Sequence, residues 1–162
     1  MEKHYIAYGS NLNKEQMAHR CPSAVAIGTS RMEGWRLLYR RSYLTIEQKA
    51  GHHVPVGIWK VDEESEKALD RYEGYPRFYI KRDFLLDVRM EDGSTKSLPC
   101  FAYIMSKGFP LELPSAYYER VVDIGYGDFG LDRRVLRRAF QETLEGLHKK
   151  PKRTWEMEWF LR

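Results

Sequence analysis

One short segment of the chain combines the backbone and side-chain groups that acyl transfer requires. It is the run Tyr8-Gly9-Ser10-Asn11-Leu12, which leaves a predicted strand and enters a predicted helix. Glycine lets a ligand approach the main chain closely, and free N–H groups cluster where a helix begins. Such a loop could hold a carboxylate or a developing oxyanion. The same residue types also suit a plain strand-to-helix turn, so the loop alone does not decide the function.

A second candidate group is the carboxylate of Glu73, some sixty residues later in the chain. It follows a predicted helix, Asp62–Tyr72, whose residues Ala68, Leu69 and Tyr72 are expected to face inward. Glu73 lies beside this apolar stripe and at the negative end of the helix dipole. Both conditions disfavour its charged form, so we expect its pKa to be raised. A carboxylate of that kind can transfer protons near neutral pH. The alternative is a solvated glutamate with no role in catalysis, which the helix dipole would destabilise only slightly.

The elements that must position these groups follow from the hydrophobic pattern. Alternating or β-rich segments predict strands at His4–Tyr8, Trp35–Ile46, Val54–Val61, Phe78–Met90, Leu98–Met105 and, at the end of the chain, Trp155–Trp159.

Helices are predicted between these strands from capping residues and breakers. Asn13 can cap a short helix that ends before Cys21-Pro22, and helices are predicted over 62–72 and Ser115–Ile124. Asp132 can cap a last amphipathic helix, and a loop is predicted at Gly125, Gly127 and Gly130. The pattern indicates one α+β domain spanning 1–162, whose strands could close into a small barrel.

Composition narrows the class of protein. Hydrophobic residues are 43% of the 162 residues, aromatic residues are 14%, and the formal net charge is +4. This favours a packed interior and makes anionic partners plausible without naming one. Because the sequence has no long apolar run and no apolar N-terminal signal, we expect a cytoplasmic protein that does not enter a membrane. Cys21 and Cys100 are far apart, His52-His53 lacks further ligands at suitable spacing, and we predict neither a disulfide nor a metal site.

Several segments, taken together, resemble the γ-glutamylcyclotransferase-like family in their order and spacing. The similar segments are HYIAYGSNL from His4 to Leu12, Arg20-Cys21-Pro22, Gly34-Trp35-Arg36-Leu37, Val56-Gly57-Ile58-Trp59, Leu69-Asp70-Arg71-Tyr72-Glu73-Gly74, Tyr118 and the glycine segment Gly125–Leu131. The resemblance extends from about Tyr5 to Leu147. It departs from the family between Thr45 and Val54 and after Leu147.

The resemblance implies a fold and a reaction. The fold would be a small mixed β-barrel of about five to six strands with flanking helices. The reaction would convert a γ-glutamyl amide to 5-oxoproline and release an amine or amino acid, without a cofactor. Glu73 would be the catalytic proton-transferring residue. The substrate-binding residues would be Tyr5, Tyr8, Gly9, Ser10, Asn11, Leu12, Tyr79 and Tyr118.

Other functions stay open at this point. A basic C-terminal third, with Trp155 and Trp159, could suggest nucleic-acid binding, but the acids Glu142, Glu145, Glu156 and Glu158 dilute it, and we do not expect a nucleic-acid partner. The same fold could serve as a non-catalytic domain that binds a small metabolite or a partner protein. A homodimer is compatible with the sequence.

The sequence does not define the leaving group. Four arginines could reach the pocket and favour an anionic one: Arg40, Arg41, Arg77 and Arg82.

Overall fold

Five strands within residues 2–149, the part of the chain that the computed structural model describes, close into a mixed β-barrel. They are β1 (Lys3–Ala7), β2 (Val25–Arg40), β3 (Tyr43–Val61), β4 (Tyr79–Met90) and β5 (Thr95–Met105). Their order is β1-β3-β2-β4-β5, and neighbours are antiparallel except β1 and β5. Those two run parallel and pair Tyr5 with Phe101, which closes the barrel. The predicted α+β barrel is confirmed.

Four α-helices and one 3₁₀ turn complete the described elements. They are the 3₁₀ turn Ser10–Leu12, α1 (Lys14–Arg20), α2 (Glu63–Glu73), α3 (Ala116–Asp128) and α4 (Arg133–His148). Each α-helix is preceded by a residue whose side chain accepts a hydrogen bond from a first-turn N–H, namely Asn13, Asp62, Ser115 and Asp132. These caps satisfy N–H groups that have no acceptor within the helix. The predicted caps Asn13 and Asp132 are confirmed. No helix in the described range has the length and apolarity that a membrane span requires.

The long hairpin of β2 and β3 differs from the prediction. The sequence predicted one continuous segment, Trp35–Ile46, but the chain reverses at Arg41 and Ser42, between paired residues Arg40 and Tyr43. Both turn residues have positive φ, 52° and 66°, which is the pattern of a type I′ turn. The turn was missed because such positions usually hold Gly or Asn, and neither is present here.

The predicted glycine loop after α3 was also wrong in part. Gly125 and Gly127 lie inside α3, and only Gly130, with a φ of 64°, lies in the turn that follows. A Cβ at Gly125 would stand 2.7 Å from both Asn13 N and Leu12 C. The glycine therefore serves close packing of α3 on the 3₁₀ turn rather than chain reversal. The strand predicted at Trp155–Trp159 lies outside the described residues.

Candidate active site

A cavity of about 320 Å³ lies between the 3₁₀ turn, the C-terminal end of α2 and the β2–β3 hairpin. It brings together all but one of the residues that the sequence singled out: Tyr5, Tyr8, Gly9, Ser10, Asn11, Glu73, Tyr79 and Tyr118. These residues come from four separate parts of the chain, so only the closed fold assembles them.

Leu12 is the residue that does not line the cavity. Its side chain is fully buried in the core, where it lies against Gly57 and Gly125. Its N–H is also committed, because Leu12 N donates to Gly9 O at 3.0 Å. The N–H groups of Ser10 and Asn11 precede this first hydrogen bond of the turn and have no acceptor within it. The loop therefore presents fewer donors to a ligand than its length of Gly9 to Leu12 suggested.

Glu73 ends α2, which Gly74 terminates in the left-handed conformation with a φ of 64°. Burial raises the pKa of this carboxyl to about 7, and the positive charges of Arg20 and Arg41 partly oppose that rise. The predicted direction of the pKa shift is confirmed. At neutral pH the carboxyl is therefore divided between its protonated and ionised forms, which is the condition for accepting and returning a proton.

Tyr72, which was expected to face the core with Leu69, is instead 43% exposed. Its hydroxyl shares a hydrogen bond of 2.9 Å with Ser10 Oγ, and the Arg20 guanidinium lies 3.4 Å from its ring centroid. Tyr72 thus joins the 3₁₀ turn to α2 at the edge of the cavity rather than filling the interior.

Asn11 connects the loop to Glu73. Its Nδ2 donates to Tyr5 Oη at 2.9 Å and lies 3.5 Å from Glu73 Oε1, while its Oδ1 accepts from Arg20. Its backbone oxygen accepts from Trp59 Nε1 at 2.9 Å. Because Arg20 can only donate, it fixes the amide so that Nδ2 faces Tyr5 and Glu73. The orientation of the loop and the environment of the carboxyl are therefore set together.

The four tyrosines that the sequence predicted for the cavity divide into two pairs by the hydrogen bonds of their hydroxyls. Tyr8 donates to Tyr103 O, and Tyr79 donates to Leu44 O at 3.1 Å, so both fix the wall. Tyr118 Oη instead accepts from Leu44 N at 3.1 Å, and Tyr5 Oη accepts from Asn11. Neither hydroxyl donates to a group in the part of the chain that the structure describes, so the protons of Tyr5 and Tyr118 are available to a ligand. Burial raises the pKa of all four tyrosines, so their hydroxyls stay neutral.

Gly9 allows the close approach of Tyr118 to the loop. A Cβ at this position would stand 3.1 Å from Tyr118 Oη and 3.6 Å from Leu44 Cβ. The first distance is tight and the second is ordinary van der Waals contact, so the glycine lets the 3₁₀ turn lie against Tyr118. This is a packing reason for the glycine that the sequence alone did not give.

Some lining residues were not predicted as site residues: Arg41, Tyr43, Leu44, Arg71, Tyr72, Gly74, Phe78 and Tyr103. Arg41 was one of the four arginines that we expected could reach the pocket. Of those four, Arg41 alone lines the cavity. Arg40 pairs with Glu47 at 2.5 Å, and Arg82 lies over the Trp35 ring at 5.1 Å from its centroid. The sequence did not predict this position for Arg41, because it predicted one continuous strand where the chain turns at Arg41 and Ser42.

Removal of Arg20 provides a test of the electrostatics around Glu73. The Arg20 charge lowers the pKa of Glu73, so Arg20→Gln should raise that pKa above its present value of about 7. The measurement is a ¹³C NMR titration of the Glu73 carboxyl. Arg71→Gln is the control, because Arg71 lines the cavity but is not among the charges that shift Glu73. An unchanged or lowered pKa in the Arg20 variant would contradict this electrostatic account.

Comparisons with known proteins show what the chain is similar to. The family model described as "Gamma-glutamyl cyclotransferase, AIG2-like" matches residues 5–128. Gamma-glutamylcyclotransferase of Homo sapiens is 27% identical over 139 residues, which cover 78% of this chain and 71% of that protein. The corresponding protein of Mus musculus is 27% identical over 155 residues, covering 88% of this chain and 77% of that protein. A solved structure titled "Gamma-glutamyl cyclotransferase" is 25% identical, with a TM-score of 0.69 and coverage of 99% of this chain and 98% of its own.

Proposed function

The chain belongs to the gamma-glutamyl cyclotransferase, AIG2-like, family, and we propose that it is a cyclotransferase acting on γ-glutamyl amides. The substrate is a small molecule in which the γ-carboxyl of glutamate is joined to an amine or an amino acid. The products are 5-oxoproline and the free amine, so the reaction is an internal acyl transfer that can also be classed as a lyase reaction.

The observation that supports this proposal most is the position and pKa of Glu73. Its carboxyl, with a pKa near 7, lies 3.5 Å from Asn11 Nδ2 in the cavity that the 3₁₀ turn also lines. A group that must take a proton from one nitrogen and return it to another works best with a pKa near the working pH.

The first step is proton removal and ring closure. The α-ammonium of the glutamyl group donates a proton to ionised Glu73, and the resulting amine attacks the γ-carbonyl carbon. A C–N bond forms, and the carbonyl π electrons move to oxygen, which becomes an oxyanion. The cavity can supply donors for it, because the N–H groups of Ser10 and Asn11 and the hydroxyl of Tyr118 donate to no other group within residues 2–149. One well-placed donor of this kind is typically worth about 3 kcal/mol.

The second step is release of the leaving group. Protonated Glu73 returns its proton to the amide nitrogen, the original C–N bond breaks, and the carbonyl re-forms. The attacking nitrogen still carries two protons, and it gives one of them, through the again ionised Glu73, to the departing amine. The ring thereby becomes a lactam, and the amine leaves protonated. Every atom of the products comes from the substrate, so the steps use no water. The fold contributes by holding the glutamyl chain in the ring-closing conformation, an orientation effect worth several kcal/mol.

Product analysis tests this proposal. We expect the purified protein to convert γ-glutamyl amides to equal amounts of 5-oxoproline and free amine, with no glutamate, as measured by mass spectrometry. In H₂¹⁸O the products should contain no ¹⁸O, because water does not attack the carbonyl.

Two other outcomes would contradict the proposal. Formation of glutamate carrying ¹⁸O would indicate hydrolysis instead of cyclisation. Binding of γ-glutamyl compounds without any product would indicate the non-catalytic small-metabolite binder.

A further inference from the structure

Arg41 presents a positive charge to the cavity from an aromatic clamp. Its guanidinium carbon lies 4.3 Å from the ring centroid of Phe78, 5.2 Å from that of Tyr43 and 5.3 Å from that of Phe109. Arg41, Tyr43 and Phe78 all line the cavity. Aromatic faces hold a guanidinium through its planar surface, which leaves its N–H edge to bind a planar group of oxygens.

The charge of Arg41 has no carboxylate partner in the described part of the chain. Its Nε is buried and makes no hydrogen bond, and no ion pair joins its guanidinium to a carboxylate within residues 2–149. Arg41 acts on Glu73 electrostatically but does not form an ion pair with it. A buried donor without an acceptor is uncommon in native proteins, and a ligand that supplies the acceptor is one explanation for it.

The backbone at this position gives a second, independent indication. Arg41 has a φ of 52° and Ser42 a φ of 66°, although glycine or asparagine would adopt this turn with less strain. The turn is held from outside the hairpin, because Arg41 N donates to Pro110 O at 3.0 Å. Strained residues of this kind concentrate at ligand-binding positions, where other contacts hold them in place.

We propose that Arg41 binds the α-carboxylate of the leaving amino acid, so that the preferred substrates are γ-glutamyl amino acids rather than γ-glutamyl amines. This inference rests on the proposed function. In that reaction the glutamyl ammonium must reach Glu73, and the carbonyl oxygen must reach the donors of the 3₁₀ turn. Arg41 belongs to a different element, the hairpin turn, with Tyr43 and Phe78 beside it. For this reason Arg41 is assigned to the carboxylate beyond the bond that breaks and not to the α-carboxylate of the glutamyl group, and the substrates below distinguish the two.

A matched pair of substrates isolates this contact. γ-Glutamylalanine and γ-glutamylethylamine differ only by the carboxylate of the leaving group. We expect the wild type to prefer γ-glutamylalanine in kcat/KM by about 10- to 100-fold, the usual effect of a charge-assisted hydrogen-bond pair. Arg41→Asn should abolish that preference. The readout is the ratio of kcat/KM for the two substrates, because the effect of the lost charge on the pKa of Glu73 is common to both and cancels in the ratio. Asparagine is chosen because it accepts positive φ, so the turn and the thermal midpoint should be preserved.

Two further variants define what Arg41 contributes. Arg77→Gln removes an arginine that packs on the same Phe78 ring, 5.3 Å from its centroid, but does not line the cavity. It should keep the full preference. Arg41→Lys retains the charge but loses the planar fork, so it should keep only part of the preference.

The outcomes separate this inference from the proposed function. If the wild type converts both substrates equally well, the assignment of Arg41 is overturned and the cyclotransferase proposal stands. A preference that is unchanged in Arg41→Asn would also overturn it, because Arg41 would then act on the glutamyl group or on Glu73 and not on the leaving group. If the wild type converts neither substrate, both proposals fail.

Discussion

Replacement of Glu73 by Gln should lower kcat for 5-oxoproline release by about 10²- to 10⁴-fold, the range that general acid–base catalysis supplies. Gln keeps the shape of the side chain and can still contact Asn11, but it cannot carry a proton between two nitrogens. Because the fold and the cavity remain, KM should change little. The measurement is the initial rate of 5-oxoproline release at saturating γ-glutamyl amide.

A control on the same helix makes this result specific. Glu64 is exposed on α2 and does not line the cavity, so Glu64→Gln should retain wild-type kcat. Near-normal turnover by the Glu73 variant would remove Glu73 from the mechanism and leave the cavity without its proton carrier.

The same variant should also become more stable at neutral and basic pH. The folded pKa of Glu73, about 7, is above its ordinary value of 4.5, so the folded state favours the protonated form. Raising the pH from 4.5 through 7 therefore lowers the stability of the wild type, and the deficit persists above pH 7. Glu73→Gln lacks this penalty. Its free energy of unfolding should exceed that of the wild type by up to about 3 kcal/mol at pH 8, and match it near pH 4.

Gly125→Ala should lower both the stability of the protein and the activity of the site. The new Cβ would stand 2.7 Å from Asn13 N and 2.8 Å from Leu12 Cβ, so α3 and the 3₁₀ turn must move apart. Overpacking of this kind costs about 1–3 kcal/mol of stability. Because Ser10 and Asn11 belong to the displaced turn, a shift near 1 Å should also lower kcat/KM by about 10²-fold. Chemical denaturation and initial rates measure the two effects.

Gly127→Ala is the matched control, two residues along the same helix. A Cβ there would meet only Arg133 Nη2, at 2.7 Å, which is the far end of a flexible side chain. That arginine can move aside, and alanine favours the helix more than glycine does. Wild-type stability and activity are therefore expected. Equal behaviour of the two alanine variants would show that close packing of α3 on the turn does not position the site.

Sequence reasoning predicted the parts of the site that depend on local chemistry. Gly9 and Asn11 were identifiable from a loop between a strand and a helix, and Glu73 from its place after an apolar helical stripe. The barrel class followed from the number of strands together with the family resemblance. These features depend on short segments, in which residue type, spacing and backbone preference agree.

The remaining parts could not be predicted, because tertiary contacts override local preference there. Arg41 and Ser42 form a turn that their residue types do not favour, so the hairpin was not recognised. Arg41 was therefore not distinguished from the other three arginines that could reach the pocket. Gly125 lies within a helix although glycine is typical of loops, because only its lack of a side chain lets α3 approach Leu12. Tyr72 is exposed because the Arg20 guanidinium stacks on its ring and Ser10 binds its hydroxyl.

The pH dependence of kcat/KM for 5-oxoproline release by the wild type tests most directly whether the buried carboxylate of Glu73 transfers the proton. The ionised form of Glu73 must accept the first proton, so kcat/KM should rise with pH through a midpoint near 7. The residual rate of Glu73→Gln should lack that limb. A limb near pH 4.5, or a wild-type rate that stays constant from pH 5 to pH 8, would contradict the account.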